Sequence, residues 1–176
     1  DLGKLSRALY IMELVDAVTN EGQSNYNLYN LVLDTLNQLA VDNSPMLIPY
    51  FQIRLLSATG FRPELYSCVD CSSNISPGSH RFCPGRGGVL CDACSPLSAK
   101  ILPLSVDSLK VLRFFQKENY DRIVGLNLKN FVKAEIQTLL ESFLEYTLDK
   151  EMKTSKFLGQ VESDSRDNLI GTIAKR

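Results

Sequence analysis

The chain has 176 residues, of which 44% are hydrophobic and 22% charged, and this balance predicts one globular domain, or one domain with a small insertion. Its 19 basic and 20 acidic residues give a net charge of −1, so overall charge does not indicate a nucleic-acid binder, and any such role must use a local patch. No apolar run approaches the roughly 20 residues of a membrane span, no signal peptide is recognisable, and the start at Asp1 suggests a fragment or a processed chain.

The first predicted element is an amphipathic helix over residues 2–21, ended by Gly22. A second helix is predicted over residues 25–41, with Ser24 or Asn25 as its N-cap. The predicted apolar stripe of the first helix is Leu5, Ala8, Leu9, Met12, Val15 and Val18, widened by Ile11 and Leu14.

A third helix is marked at both ends. Ser44 is its predicted cap, and Pro45 fits the first turn, where a missing N–H costs nothing. Gly60 supplies a left-handed stop, and Pro63 prevents continuation. Three helices with short connections predict an antiparallel helical bundle.

Four cysteines then form two Cys-x-x-Cys pairs, Cys68 with Cys71 and Cys91 with Cys94, separated by nineteen residues. This spacing predicts one zinc ion per chain, held by four thiolates in a tetrahedron. Four thiolates leave no open coordination position, so we expect a structural metal and not an enzyme. The segment has too few apolar residues for a core of its own, and metal binding would therefore order it.

Alternative interpretations of this segment are two disulfides or a redox pair. Disulfides need an oxidising compartment, and neither pair lies in the strand–helix pattern of a redox motif. His80 and Cys83 lie between the two pairs and are further candidate ligands. We expect a solvent-exposed imidazole and a bystander thiol, because a substitution of either would break a knuckle without a gain in geometry.

The remainder is predicted to be helical. A short extended piece at Ile101 and Leu102 precedes a helix near residues 106–118, capped by Ser105. A long helix follows over about 128–151, and a polar tail over 159–176 is predicted to be frayed. The apolar face of the long helix is predicted to be Val132, Ile136, Leu139, Leu140, Phe143 and Leu144.

Two sets of basic residues recur at near-helical spacing. One ends the long helix: Lys150, Lys153 and Lys156. The other lies on the fourth helix: Lys110, Arg113 and Lys117. Composition alone favours solvated helix faces, and the functional alternative is contact with phosphates or with an acidic peptide.

Five tracts, in order, resemble one known family. Residues 9–14 contain a Tyr-x-x-Glu-Leu pattern, and residues 51–56 contain Phe-x-x-x-Leu-Leu. Residues 59–65 contain Gly-aromatic-x-Pro-x-Leu before the first cysteine. Residues 87–91 contain a glycine pair before the second Cys-x-x-Cys pair, and residues 155–158 are similar to a Ser-Arg-x-Leu pattern. Over nearly its whole length the chain resembles the C-terminal helical region of the bacterial recombination mediator RecO.

The resemblance implies a mainly α fold, an antiparallel helical bundle with an inserted four-cysteine zinc finger of the ArfGAP/RecO-like type. It implies that residues 1–64 and 100–158 are the two parts of the helical domain. Residues 65–99 would be the inserted zinc module, and 159–176 a disordered tail.

The resemblance also implies a function in DNA repair and recombination. RecO proteins bind single- and double-stranded DNA, anneal strands, work with RecR, and help RecA replace single-strand-binding protein. Their N-terminal OB-fold supplies much of the DNA surface, and we expect that barrel to be absent from this chain. We therefore expect a bacterial, cytoplasmic and nucleoid-associated protein without membrane contact, whose chain holds partner-docking surfaces more than the main DNA site.

For contacts with DNA or with partner proteins, the resemblance gives only candidate residues. The resemblance implies that the helical domain docks the acidic tail of single-strand-binding protein, with Arg54 and Lys156 as candidates inside matched tracts. Lys150 and Lys153 are added as candidate DNA or partner contacts, and the third and fifth helices as walls of the groove. The competing functional class is a free-standing zinc ribbon in transcription or RNA handling.

Overall fold

The computed structural model describes residues 2–19, 25–42, 44–76, 78, 80–94 and 101–148. The helices in these ranges are α1 (Leu2–Val18), α2 (Tyr26–Val41), α3 (Leu47–Ala58), α4 (Val106–Lys117) and α5 (Asn130–Leu148). The strands are β1 (His80–Cys83), β2 (Gly88–Leu90) and β3 (Leu102–Leu104). None of the described helices is long and apolar enough to cross a membrane. The mainly helical prediction is confirmed, with the addition of a small sheet.

Helix α3 lies at the centre and packs against α1, α2, α4 and α5. Phe51 and Leu55 on one side of it and Ile53 on the opposite side are fully buried, because neighbours surround the helix. Its predicted stop is confirmed: Gly60 has a φ of +87°, and the N–H of Phe61 donates back to the carbonyl of Leu56 at 2.8 Å.

The start of α3 lies slightly later than predicted. The helix begins at Leu47, and Ser44 and Pro45 form the turn before it. The Ser44 hydroxyl accepts the N–H of Met46 at 3.2 Å, so Ser44 caps this turn and not the helix itself. Pro49 is the third helical residue, where a missing N–H breaks no intrahelical hydrogen bond.

The predicted stripe of α1 is only partly right: Ile11 and Leu14 are buried, and Ala8, Val15 and Val18 pack against the core, but its other three residues are exposed. Leu5, Leu9 and Met12 are 57%, 49% and 50% exposed, while the buried apolar residues of the helix are Tyr10, Ile11 and Leu14. The sequence of α1 is apolar on nearly every side, so periodicity alone does not identify the buried face. The face that it predicted is displaced by about one residue from the one that is buried. The neighbours α2 and α3 decide which side is buried.

The second half of the chain follows its predicted pattern closely. Every residue of the predicted α5 face is buried. The Ser105 hydroxyl accepts the N–H of Ser108 at 3.2 Å, which confirms the cap of α4. The Glu135 carboxylate accepts the N–H and the hydroxyl of Ser105 at 2.9 and 2.5 Å, so α5 holds the start of α4 in place. The predicted end of α5 near residue 151 and the predicted tail over 159–176 lie outside the described residues.

The three strands form one antiparallel sheet in the order β2-β1-β3. Strands β1 and β2 were not predicted from the sequence, because each has only three or four residues and lies in a turn-rich segment. The ring of Phe82 is fully buried and meets Phe143 of α5 edge to face, with ring centroids 5.4 Å apart. The cysteine segment therefore shares a core with the helices, which is not the arrangement of a free-standing zinc ribbon.

Candidate metal centre

The first cysteine pair lies in a tight turn. The N–H of Cys68 donates to the carbonyl of Ser73 at 2.8 Å, and the N–H of Ser72 donates back to the carbonyl of Cys68 at 2.9 Å. Ser72 has a φ of 59°, an uncommon left-handed conformation for a residue other than glycine. This reversal places the Cys71 sulfur on the same side as that of Cys68.

The second pair follows β2 and is held against the first by the backbone. The N–H of Glu64 donates to Gly87 at 2.9 Å, and the N–H of Val89 donates to Glu64 at 2.9 Å. The N–H of Val69 then donates to Val89 at 3.0 Å. Segment 64–69 thus lies along β2, so the chain leaving β2 delivers Cys91 beside Cys68.

A glycine makes this pairing possible. Gly88 bridges to Glu64, and a Cβ at position 88 would lie 2.5 Å from the Glu64 carbonyl oxygen and 2.7 Å from a methyl group of Val69. No side chain fits in this space. The two knuckles therefore depend on glycine at position 88 for their close approach.

The four sulfurs form a compact cluster. All of them lie within 4.8 Å of one another, and those of Cys71 and Cys91 are 3.7 Å apart. A tetrahedral ion with metal–sulfur bonds of about 2.3 Å would place its ligands roughly 3.8 Å apart. A disulfide needs a sulfur separation of about 2.05 Å, and all five cysteines are free thiols here. The donor set therefore fits a thiophilic divalent metal.

The electrostatics of the cluster differ from thiol to thiol. Burial disfavours the Cys68 thiolate, but the N–H groups of Cys91, Cys71 and Asp70 outweigh that effect and lower the pKa of Cys68 to about 6. The Ser73 hydroxyl and N–H lower the pKa of Cys71. The thiols of Cys71 and Cys91 raise the pKa of Cys94 to about 12. Since metal ligation requires thiolates, binding of a cation would release protons.

His80 and Cys83 lie in β1 and are not part of this cluster. The expectation of a solvent-exposed imidazole is wrong: His80 is only 8% exposed, and its Nε2 lies 2.5 Å from the carbonyl oxygen of Ser76. In the sheet His80 is paired with Leu104 of β3. Cys83 is a buried thiol whose strand position opposite Gly88 separates it from the four clustered sulfurs.

Comparison with known proteins identifies the family. A family model described as "Recombination protein O C terminal" matches residues 1–156. The chain belongs to the RecO family. This match confirms the family that the five sequence tracts predicted.

Several RecO relatives are similar over most of the chain. The DNA repair protein RecO of Desulforamulus reducens is 34% identical over 92% of this chain and 63% of its own length. The protein of the same name from a Roseiflexus species is 31% identical over all of the chain and 64% of its own length. That of Bacillus subtilis is 30% identical over 93% of the chain and 64% of its own length. The chain thus spans somewhat less than two thirds of these RecO proteins.

The other candidate contact residues of this RecO-family chain are dispersed. The guanidinium of Arg54 donates to the carbonyl of Gln116 at 3.1 Å and lies 5.9 Å from the centre of the Tyr50 ring. Arg54 also lines a groove of about 840 Å³ between α2, α3 and the turn at Tyr120–Arg122, to which α5 contributes no lining residue. The three candidate lysines Lys150, Lys153 and Lys156 lie outside the described residues.

Among the basic residues of α4, Arg113 is not simply solvated. Its Nε and Nη2 donate to the carbonyl of Leu65 at 3.0 and 2.7 Å, and its guanidinium lies 4.8 Å from the centre of the Tyr66 ring. The sequence offered no signal for this contact, because positions 65 and 113 are far apart in the chain. Lys110 and Lys117 are exposed, as the simplest interpretation predicted.

Proposed function

We propose that the chain is the C-terminal part of a DNA repair and recombination mediator. Such a protein binds single- and double-stranded DNA, anneals complementary strands, and works with RecR to help RecA replace single-strand-binding protein. The observation that carries the proposal is the family match over residues 1–156, together with relatives that are each named DNA repair protein RecO. Because the chain spans only part of those relatives, we propose that it contributes structure and partner docking while other segments supply much of the DNA surface.

We further propose that the metal is one structural Zn²⁺ per chain, bound by Cys68, Cys71, Cys91 and Cys94. The support is the donor set of four sulfurs within 4.8 Å, which matches the preference of zinc for tetrahedral thiolate coordination. Four protein ligands complete that coordination, so the ion would order the segment and would activate neither water nor substrate. Residues 65–99 would then act as an inserted zinc module of the helical domain.

Docking of the single-strand-binding protein tail is the third part of the proposal. A tail of acidic residues with an apolar end needs an apolar floor and a basic rim. The groove beside Arg54 offers Tyr50 and Leu31, but it also carries the carboxylates of Asp34 and Asp121. Two acids against one arginine disfavour an acidic tail there, so the tail proposal rests mainly on the lysines at 150, 153 and 156.

Strand annealing tests the proposed function. The wild-type chain should accelerate pairing of complementary fluorescent oligonucleotides, and its affinity should fall with salt with a slope of about −0.7 per phosphate contact on single strands. In a titration, the affinity for a labelled acidic tail peptide should fall when Lys150, Lys153 and Lys156 are replaced by alanine. Arg54→Ala should lower that affinity less. A chain that binds neither DNA nor the tail peptide would refute the mediator assignment.

Metal analysis tests the zinc proposal separately. The purified chain should contain one zinc per molecule, and removal of the metal should unfold the cysteine segment. Iron in place of zinc would retain the ligand assignment but change the metal, because four thiolates also suit iron. A chain with no tightly bound metal would refute the proposed centre.

A further inference from the structure

A mixed basic and aromatic surface lies where α4 meets the segment that enters the first knuckle. Arg113 is fixed at its middle, because two of its nitrogens donate to the Leu65 carbonyl at 3.0 and 2.7 Å. The same guanidinium lies over the Tyr66 ring at 4.8 Å, within the range of a cation–π contact. Arginine and tyrosine are therefore held together as a pre-formed pair at the surface.

Two lysines flank this pair on the same side of α4. Lys110 and Lys117 lie three residues before and four residues after Arg113, and this spacing places all three on one helix face. Both lysines are exposed. The ion pairs of Arg86 with Asp70 and of Lys129 with Asp107 involve neither lysine.

The local charge balance is positive. Arg62 extends the surface, since its Nη2 lies 3.4 Å from the side-chain oxygen of Gln116 on α4. The acids that lie near these residues in the chain are Glu64, Asp107 and Glu118, against four basic side chains, and Asp107 is paired with Lys129 at 3.5 Å. Glu64 is occupied by the backbone: one of its carboxylate oxygens accepts the N–H groups of Tyr66 and Ser67 at 2.7 and 3.0 Å.

The aromatic ring is accessible and its position depends on the metal loop. Tyr66 is 46% exposed, which leaves ring area free for a further contact. Its carbonyl accepts the N–H of Ile75 at 2.8 Å, so the loop that carries Cys68 and Cys71 closes directly behind it. Loss of the metal would release this loop and, with it, the ring.

We propose that Arg62, Tyr66, Lys110, Arg113 and Lys117, here called the α4 strip, form a binding site for single-stranded nucleic acid. Lys110 and Lys117 would contact phosphates, and a base would stack on Tyr66 beside the Arg113 guanidinium. Exposed aromatic rings among cations are suited to single strands, whose base faces are open, whereas a duplex hides those faces. The inference rests on the proposed DNA-binding function and assigns it a location within this chain.

The test compares variants of the full 176-residue chain by fluorescence anisotropy with a labelled oligothymidylate. The double variant Lys110→Ala/Lys117→Ala should reduce the magnitude of the slope of log affinity against log salt by about 1.4. Each of the two lost phosphate contacts contributes roughly 0.7 to that slope. Its matched control is Arg122→Ala/Lys133→Ala, which removes the same charge from other surfaces and should leave the slope unchanged.

Tyr66→Ala should weaken single-strand binding by about 5- to 150-fold, the range for loss of one base–aromatic stack. Tyr66→Phe should restore binding, and Tyr29→Ala, at another exposed tyrosine, should behave like wild type. Binding to a duplex of the same length should be much less sensitive to Tyr66→Ala. Circular dichroism and metal content exclude variants that have lost their fold.

The outcomes separate the site from the function. If the wild type binds and anneals single strands while the α4-strip variants match their controls, the mediator function stands and the α4 strip is not its site. If the wild type binds no DNA, the α4-strip proposal falls, and with it any DNA-binding function within this chain. Tighter binding of a labelled oligoglutamate peptide than of oligothymidylate to the α4 strip would also overturn the assignment, because it would identify an acidic peptide as the ligand.

Discussion

Replacement of Gly88 by alanine should weaken metal binding although it alters no cysteine. The added methyl group would lie 2.5 Å from the Glu64 carbonyl oxygen and 2.7 Å from a Val69 methyl group. Neither neighbour is the free end of a long side chain, so segment 64–69 and β2 must move apart. That movement strains the three backbone hydrogen bonds that bring Cys91 to Cys68.

The expected cost is set by these contacts. Overpacking of a close-packed site costs about 1–3 kcal/mol. Complete loss of three backbone hydrogen bonds, at about 0.5–1.5 kcal/mol each, would cost roughly 1.5–4.5 kcal/mol. If moving segment 64–69 away from β2 costs about 2 kcal/mol, the metal affinity would fall about 30-fold, because about 1.4 kcal/mol corresponds to a factor of ten.

Competition with a chromophoric zinc chelator measures this change. The matched control is Gly60→Ala, where the φ of +87° strains alanine but a Cβ would meet no atom within 4 Å. That strain, about 1–2 kcal/mol, should lower the melting temperature and leave the metal affinity unchanged. Zinc binding of Gly88→Ala equal to that of wild type would refute the role of the β2 pairing in assembly of the site.

Three further predictions concern the centre and its support. Cys91→Ser should reduce zinc well below one per chain while Cys83→Ser retains it, and normal zinc in Cys91→Ser would contradict the ligand set. Glu135→Gln should lower the free energy of unfolding in urea by about 1.5–3 kcal/mol through weaker capping of α4, without loss of metal, and an unchanged transition would show that the cap contributes little. Phe82→Ala should cost about 3–5 kcal/mol in the same assay, and a smaller loss would mean that the sheet and α5 do not share one core.

Local patterns in the sequence determined much of this protein. The Cys-x-x-Cys spacing predicted a four-thiol cluster, since a knuckle is a short-range turn that two residues between cysteines already define. Gly60, Asn25 and Ser105 marked helix ends, because a left-handed stop and a side-chain cap act within three or four residues. The stripe of α5 was predictable, since its other faces carry mostly polar residues and favour one orientation.

The tertiary structure decided whatever depended on distant parts of the chain. Helix α1 is apolar on several sides, so its neighbours select the face that contains Ile11. His80 lies in β1, which pairs with β3 more than twenty residues later in the chain. Arg113 joins Tyr66 because α4 packs beside the segment that follows α3. In each case the free energy comes from burial and hydrogen bonds between segments far apart in sequence, which no local pattern of residues encodes.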